Sequence, residues 1–107
     1  MSLIYVNTLR NSFKVWGGNL YVNIKTSQSE LITYFGRIGM PMQKLRQHTK
    51  TFNSSTEAQD FFYKKMQEKR RTGYLPIENH IYFEYVDTKP LSELMTLIEK
   101  KYKEFGY

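Results

Sequence analysis

Residues 14–39 read KVWGGNLYVNIKTSQSELITYFGRIG, and this stretch decides the fold. From Lys14 the side chains alternate. Trp16, Gly18, Leu20, Val22 and Ile24 share one face of an extended segment, and Asn19, Tyr21, Asn23 and Lys25 share the other. A period of two is the mark of a half-buried β-strand. Gly17-Gly18 inside the run marks a bulge or a point of close approach. Thr26-Ser27-Gln28-Ser29 has turn composition and Leu31 to Phe35 resumes an extended segment, so the two runs form a hairpin. Gly36 and Gly39 punctuate its exit, and Pro41, which has no N–H to donate, blocks direct continuation of the ladder.

Outward from the hairpin, Leu3-Ile4-Tyr5-Val6 is a short strand. Gln43 to Phe52 is another, and in it Lys44, Arg46, His48 and Lys50 fall at every second position and point to one side. Ser54 with Glu57 three residues on has the form of a capping box. The helix it opens runs to about Thr72, with Ala58, Phe61, Phe62 and Met66 on its apolar stripe and Gly73 past its end. Ile81, Phe83 and Tyr85 alternate and predict a last strand. Pro90 then opens a second helix, on which Leu91, Leu94, Met95, Ile98, Tyr102 and Phe105 keep helical spacing. The expectation is a single α+β domain over 1–107: a central antiparallel sheet of four to five strands, helices on one face, one main helix and an added C-terminal helix over 88–107.

Composition narrows the function. At 40 % hydrophobic and 16 % aromatic residues the chain can build a core and carries many flat faces suited to stacking. It has no Cys, which excludes disulfides, thiolate metal sites and a Cys nucleophile. No window approaches the roughly 18 apolar residues of a membrane span, so a soluble, intracellular, cytoplasmic protein without a membrane partner is expected. The net charge of +6 is unevenly placed: residues 1–56 hold seven Lys/Arg and one acid, Glu30, whereas residues 57–107 hold nine of each sign. All the excess charge lies in the first half, as a surface for a polyanion requires.

Catalytic patterns are missing. His48 and His80 fall in different predicted strands, neither in a metal-ligand pair, and no nucleophile elbow, Walker loop or dinucleotide glycine pattern occurs. The expectation is a non-enzymatic protein without metal or cofactor. The basic row Lys44, Arg46, His48 and Lys50 has two readings. One is a Lys-studded face that prevents sheets from pairing. The other is a phosphate-binding surface, favoured by Arg10, Lys14, Lys25 and Arg37 in neighbouring segments and by the interleaved Tyr5, Trp16, Tyr21, Tyr34 and Phe35. Trp16 shares its face with Leu20 and Val22 and is assigned to the core. Lys64-Lys65 and Lys69-Arg70-Arg71 suit the helix dipole first and a peripheral phosphate contact second.

Phe35-Gly36-Arg37-Ile38-Gly39 resembles the W-G-R-[VI]-G motif of the WGR domain, found in poly(ADP-ribose) polymerases and in stand-alone bacterial proteins. Asn11-Ser12-Phe13-Lys14-Val15-Trp16 resembles that family's N-K-[FY]-[YWF] segment, and Phe52-Asn53-Ser54 with Glu57-Ala58 and Phe62 its strand-to-helix junction. The resemblance covers about residues 3–86. It implies an antiparallel sheet with one helix, and binding of nucleic acid, DNA before RNA, with strand ends preferred. It assigns the sugar stack to Phe35, where the family has Trp, and phosphate contacts to Asn11 and Lys14, with Gly36 and Arg37 completing the motif. The expected interface is Asn11, Lys14, Phe35, Gly36, Arg37, Lys44, Arg46, His48 and Lys50. The alternative is a protein-interaction or adaptor module that uses the same basic face for an acidic protein partner.

Overall fold

A computed structural model describes residues 1–9 and 12–104. The elements run β1 (Ser2–Asn7), β2 (Lys14–Val22), β3 (Ser29–Arg37), a 3-10 turn (Met42–Lys44), β4 (Arg46–Phe52), α1 (Ser55–Arg71), β5 (Leu75–Ile77), α2 (Asn79–Thr88) and α3 (Leu91–Glu104). The strands form one five-stranded sheet in the order β4-β3-β2-β1-β5, antiparallel at every pairing.

The β2–β3 hairpin is the expected one. Its register is continuous from Lys14↔Arg37 to Val22↔Ser29, so Gly17 and Gly18 form no bulge. They are points of close approach. A Cβ on Gly17 would lie 2.5 Å from the Tyr34 ring and 2.6 Å from the Leu3 carbonyl oxygen, and one on Gly18 would lie 2.8 Å from the Phe62 ring. Downstream, the Glu57 backbone N–H donates to the Ser54 hydroxyl at 3.2 Å, and α1 ends at Gly73 with φ +101°.

Helices cover both faces of the sheet, not one. Tyr5, Trp16 and Leu31 pack with Phe62 of α1 and Tyr74, whereas Ile4, Val6, Val15 and Tyr34 pack with Tyr82 of α2 and Leu94 and Ile98 of α3. The reason is visible in β1. Leu3-Ile4-Tyr5-Val6 has no polar position, and a strand without alternation must be buried on both sides. The C-terminal helix is therefore part of the core, pinned by the Tyr102 hydroxyl, which donates to the Val6 carbonyl at 2.7 Å. Phe105, expected on the same stripe, lies outside the described residues.

Two other expectations are corrected. Ile81, Phe83 and Tyr85 lie in the helix α2, and the last strand is Leu75–Ile77. Helical spacing puts Tyr82, Tyr85 and Val86 inward while Glu84 and Asp87 face solvent. The buried Tyr82 hydroxyl accepts from the Gly39 N–H at 3.1 Å and donates to the Met40 carbonyl at 3.3 Å, so α2 holds the turn after β3. Pro76 is tolerated because β5 is an edge. Lys44, in turn, is not in the basic strand. The 3-10 turn after Pro41 takes it up, its N–H donating to the Pro41 carbonyl at 3.0 Å.

Candidate nucleic-acid interface

Residues paired across an antiparallel sheet share a face. Trp16 pairs with Phe35 and Phe35 with Arg46, so the next rows, Thr33 with His48 and Leu31 with Lys50, lie on the same side. The pair Lys14 and Arg37 ends the hairpin on that side too. Two residues along a strand advance about 6.8 Å, so Arg37, Arg46, His48 and Lys50 form a track of about 20 Å. All of these side chains are exposed. Among the described residues, none of Lys14, Arg37, Arg46 and Lys50 forms an ion pair, so their charge is not neutralised within the chain.

The α1 helix supplies a second wall. It packs across β2, β3 and β4 through Phe61 and Phe62, the Phe62 ring centroid 6.0 Å from that of Trp16, and leaves Phe35, Arg46, His48 and Lys50 exposed beside it. Between helix and strands runs a groove of about 440 Å³. Its floor is Trp16, Thr33 and Phe35, its β4 side His48 and Lys50, and its helix side Phe61, Lys65, Glu68 and Lys69. The Lys50 ammonium sits 4.2 Å from the Phe61 ring centroid and that of Lys65 5.6 Å from it. Lys69 lies 5.8 Å from the Trp16 ring and 5.2 Å from that of Tyr74. Burial, and next the Lys65 charge, push the Lys69 ammonium below the usual lysine range, and Lys14 adds to the shift. The helix wall thus meets the Lys14–Arg37 end of the track.

The structure brings together Lys14, Phe35, Arg37, Arg46, His48 and Lys50 of the expected residues. Phe35 is 44 % exposed, so its ring is at the surface and does not fill the core. Trp16 is 4 % exposed, in the core as assigned. Gly36 falls on the opposite face, where a Cβ would lie 2.7 Å from the Leu45 side chain, so its smallness serves packing. Lys44 is set apart in its turn, and Asn11 lies outside the described residues. Sequence reasoning missed Thr33 and Phe61 and gave Lys65 and Lys69 a lesser role. Their signal was the spacing of 61, 65 and 69, which puts the three on one helix face.

A larger cavity, about 810 Å³, opens between the Gly39 turn and α3, but its lining is apolar apart from Arg37 and Ser92. The cations gather at the smaller groove. Among the described residues no three His, Cys, Asp or Glu gather so as to hold a metal ion, and no helix is long and apolar enough to cross a membrane. The family model described as the WGR domain matches residues 1–81, well over half of the chain, and α3 lies beyond the match. No curated protein and no solved structure matches.

Proposed function

This chain belongs to the WGR domain family, and on that premise we propose a non-catalytic binder of DNA that grips phosphates along one sheet face and stacks one ring at a strand end. The family is, in general terms, a nucleic-acid-binding module. The observation that carries the finer reading is the exposed Phe35 ring, flanked on its own face by Lys14, Arg37, Arg46, His48 and Lys50.

The division of labour follows from the chemistry. Cations fixed on a rigid sheet meet phosphates by point charge and, at Arg37 and Arg46, by the guanidinium fork. They bind any sequence, with a strong dependence on salt. Phe35 has no hydrogen-bonding group, so its contribution is contact with an exposed sugar or base, which a duplex offers most freely at its ends. A ring packed on a sugar favours deoxyribose, because the 2′-hydroxyl of RNA would be desolvated against it.

Fluorescence anisotropy with a blunt duplex, a closed dumbbell of the same sequence and a single strand tests the proposal. The open duplex is expected to bind tighter than the dumbbell. Equal affinities would remove the preference for ends alone. Absence of binding to all of them in about 50 mM salt, where phosphate contacts are strong, would overturn the reading and leave an acidic protein as the partner for this face.

A further inference from the structure

We propose that the groove between α1 and β4 seats the unpaired strand of a tailed duplex, making the preferred ligand an end with a single-stranded overhang. The inference rests on the DNA-binding reading above and deepens it. Three observations carry it. The first is size. The groove holds about 440 Å³, with Lys50 of β4 reaching the Phe61 ring of α1 at 4.2 Å from its centroid. A duplex, whose major groove alone is about 12 Å across, does not fit a space of that size, whereas one strand does.

The second observation is the lining. Phe35 offers ring surface, Thr33 a hydroxyl and His48 an imidazole, while Lys50, Lys65 and Lys69 offer cations, the first two held against the Phe61 ring, facing the one carboxylate of Glu68. Glu68 is already engaged by Lys65 at 3.5 Å. Aromatic faces interleaved with cations match a single strand, whose bases are free to stack and whose phosphates need neutralising. The third is continuity. The cations do not stop at the groove but run on through Arg46 to Arg37 and Lys14. A pocket for one mononucleotide needs no such extension, whereas a polymer that changes from paired to unpaired does. The paired part rests at the Lys14–Arg37 end, Phe35 stands at the junction, and the tail lies over Thr33 toward Lys50 and Lys65.

The test compares a blunt duplex with duplexes carrying a four-nucleotide tail on either the 5′ or the 3′ strand, using the full chain. At least one tailed duplex is expected to bind roughly tenfold tighter than the blunt one, as one or two base–aromatic stacks provide. Lys65→Ala removes one of the two helix-side cations, and Thr33→Trp fills the groove floor without removing charge. Each is expected to abolish the gain from the tail, weakening the tailed duplex by a larger factor than the blunt one. Tails that add nothing to a blunt duplex that does bind would overturn the inference and leave the function above standing. So would equal losses on tailed and blunt DNA in both variants, or displacement of the tail by a free mononucleotide. Failure to bind any of the duplexes would overturn the function itself.

Discussion

Trp16 and Phe35 face each other across β2 and β3 on one side of the sheet, yet Trp16 is 4 % exposed and Phe35 44 %. The difference is the position of α1. Phe62 and Lys69 lie over the indole, while the position across from it on β3 is left open. One cross-strand pair thus spans the edge of the core: the indole anchors the helix, and the phenyl ring is left to the groove.

The two aromatics therefore respond differently to truncation. Trp16→Ala is expected to cost about 3–5 kcal/mol of stability, the range for a large buried side chain. Phe35→Ala, at a half-open surface position, is expected to cost less than about 1 kcal/mol but to weaken open-duplex binding more than dumbbell binding. Urea denaturation and anisotropy on both variants check this. Comparable destabilisation by the two would place Phe35 in the core and remove its stacking role.

Gly17→Ala is expected to lose at least about 3 kcal/mol, the upper part of the range for overpacking. The new Cβ would meet the Leu3 carbonyl oxygen at 2.6 Å, and backbone cannot move aside cheaply. Gly36→Ala meets the end of the Leu45 side chain at 2.7 Å, a group able to rotate. It is expected to cost less, with DNA affinity retained in the folded protein. Denaturant midpoints rank the two, and the reverse order would contradict the register described here.

Burial raises the Tyr34 and Tyr82 hydroxyls from 10.0 to about 12, and raises that of Tyr102 as well. Their neutral forms are favoured in the folded state. The stability they contribute is complete below the unfolded value of about 10 and is lost as pH rises toward 12. Lys69, shifted down, works the other way: its charge costs stability, and that cost fades as pH rises toward the ordinary 10.5. One partly buried lysine does not offset two buried tyrosines and a half-buried third. The melting temperature is expected to hold steady up to about pH 9.5 and fall steeply above it, with phenolate absorbance appearing together with unfolding. A melting temperature unchanged up to pH 12 would contradict the buried placement of these rings.

Leu94 and Ile98 are fully buried in the same cluster as Ile4 and Val6. Ile98→Ala is expected to cost about 2–5 kcal/mol, and a chain ending at Thr88 to lose cooperative unfolding, although the family match ends before that residue. Thermal melts of the shortened chain check this. A fold stable without α3 would contradict its place in the core.

Much of this was legible in the sequence because it is local. Alternation from Lys14 set the hairpin and the face shared by Trp16, the Ser54–Glu57 spacing set the start of α1, and Gly73 its end. The segment around Ile81 was misread because a short apolar run fits period two and a helix equally well, and Pro76 disguised the true edge strand. The two-sided core had a local sign in Leu3-Ile4-Tyr5-Val6, which has no polar face. Lys65 and Lys69 were undervalued for another reason: where a helix lies on a sheet is decided by packing between Phe62, Trp16 and Gly18, residues far apart in the chain. The motif gave Phe35 and Arg37 their place, and only the packing of α1 gave them a groove.

The most direct test of the basic face as a DNA-binding surface is the salt dependence of duplex affinity, measured by anisotropy in the wild-type chain and in Arg37→Gln/Arg46→Gln. Neutralising about four phosphates predicts a slope near −3.6 for log affinity against log salt, made shallower by about 1.8 in the double variant. Affinity that does not change with salt, or a slope that both substitutions leave untouched, would contradict the account.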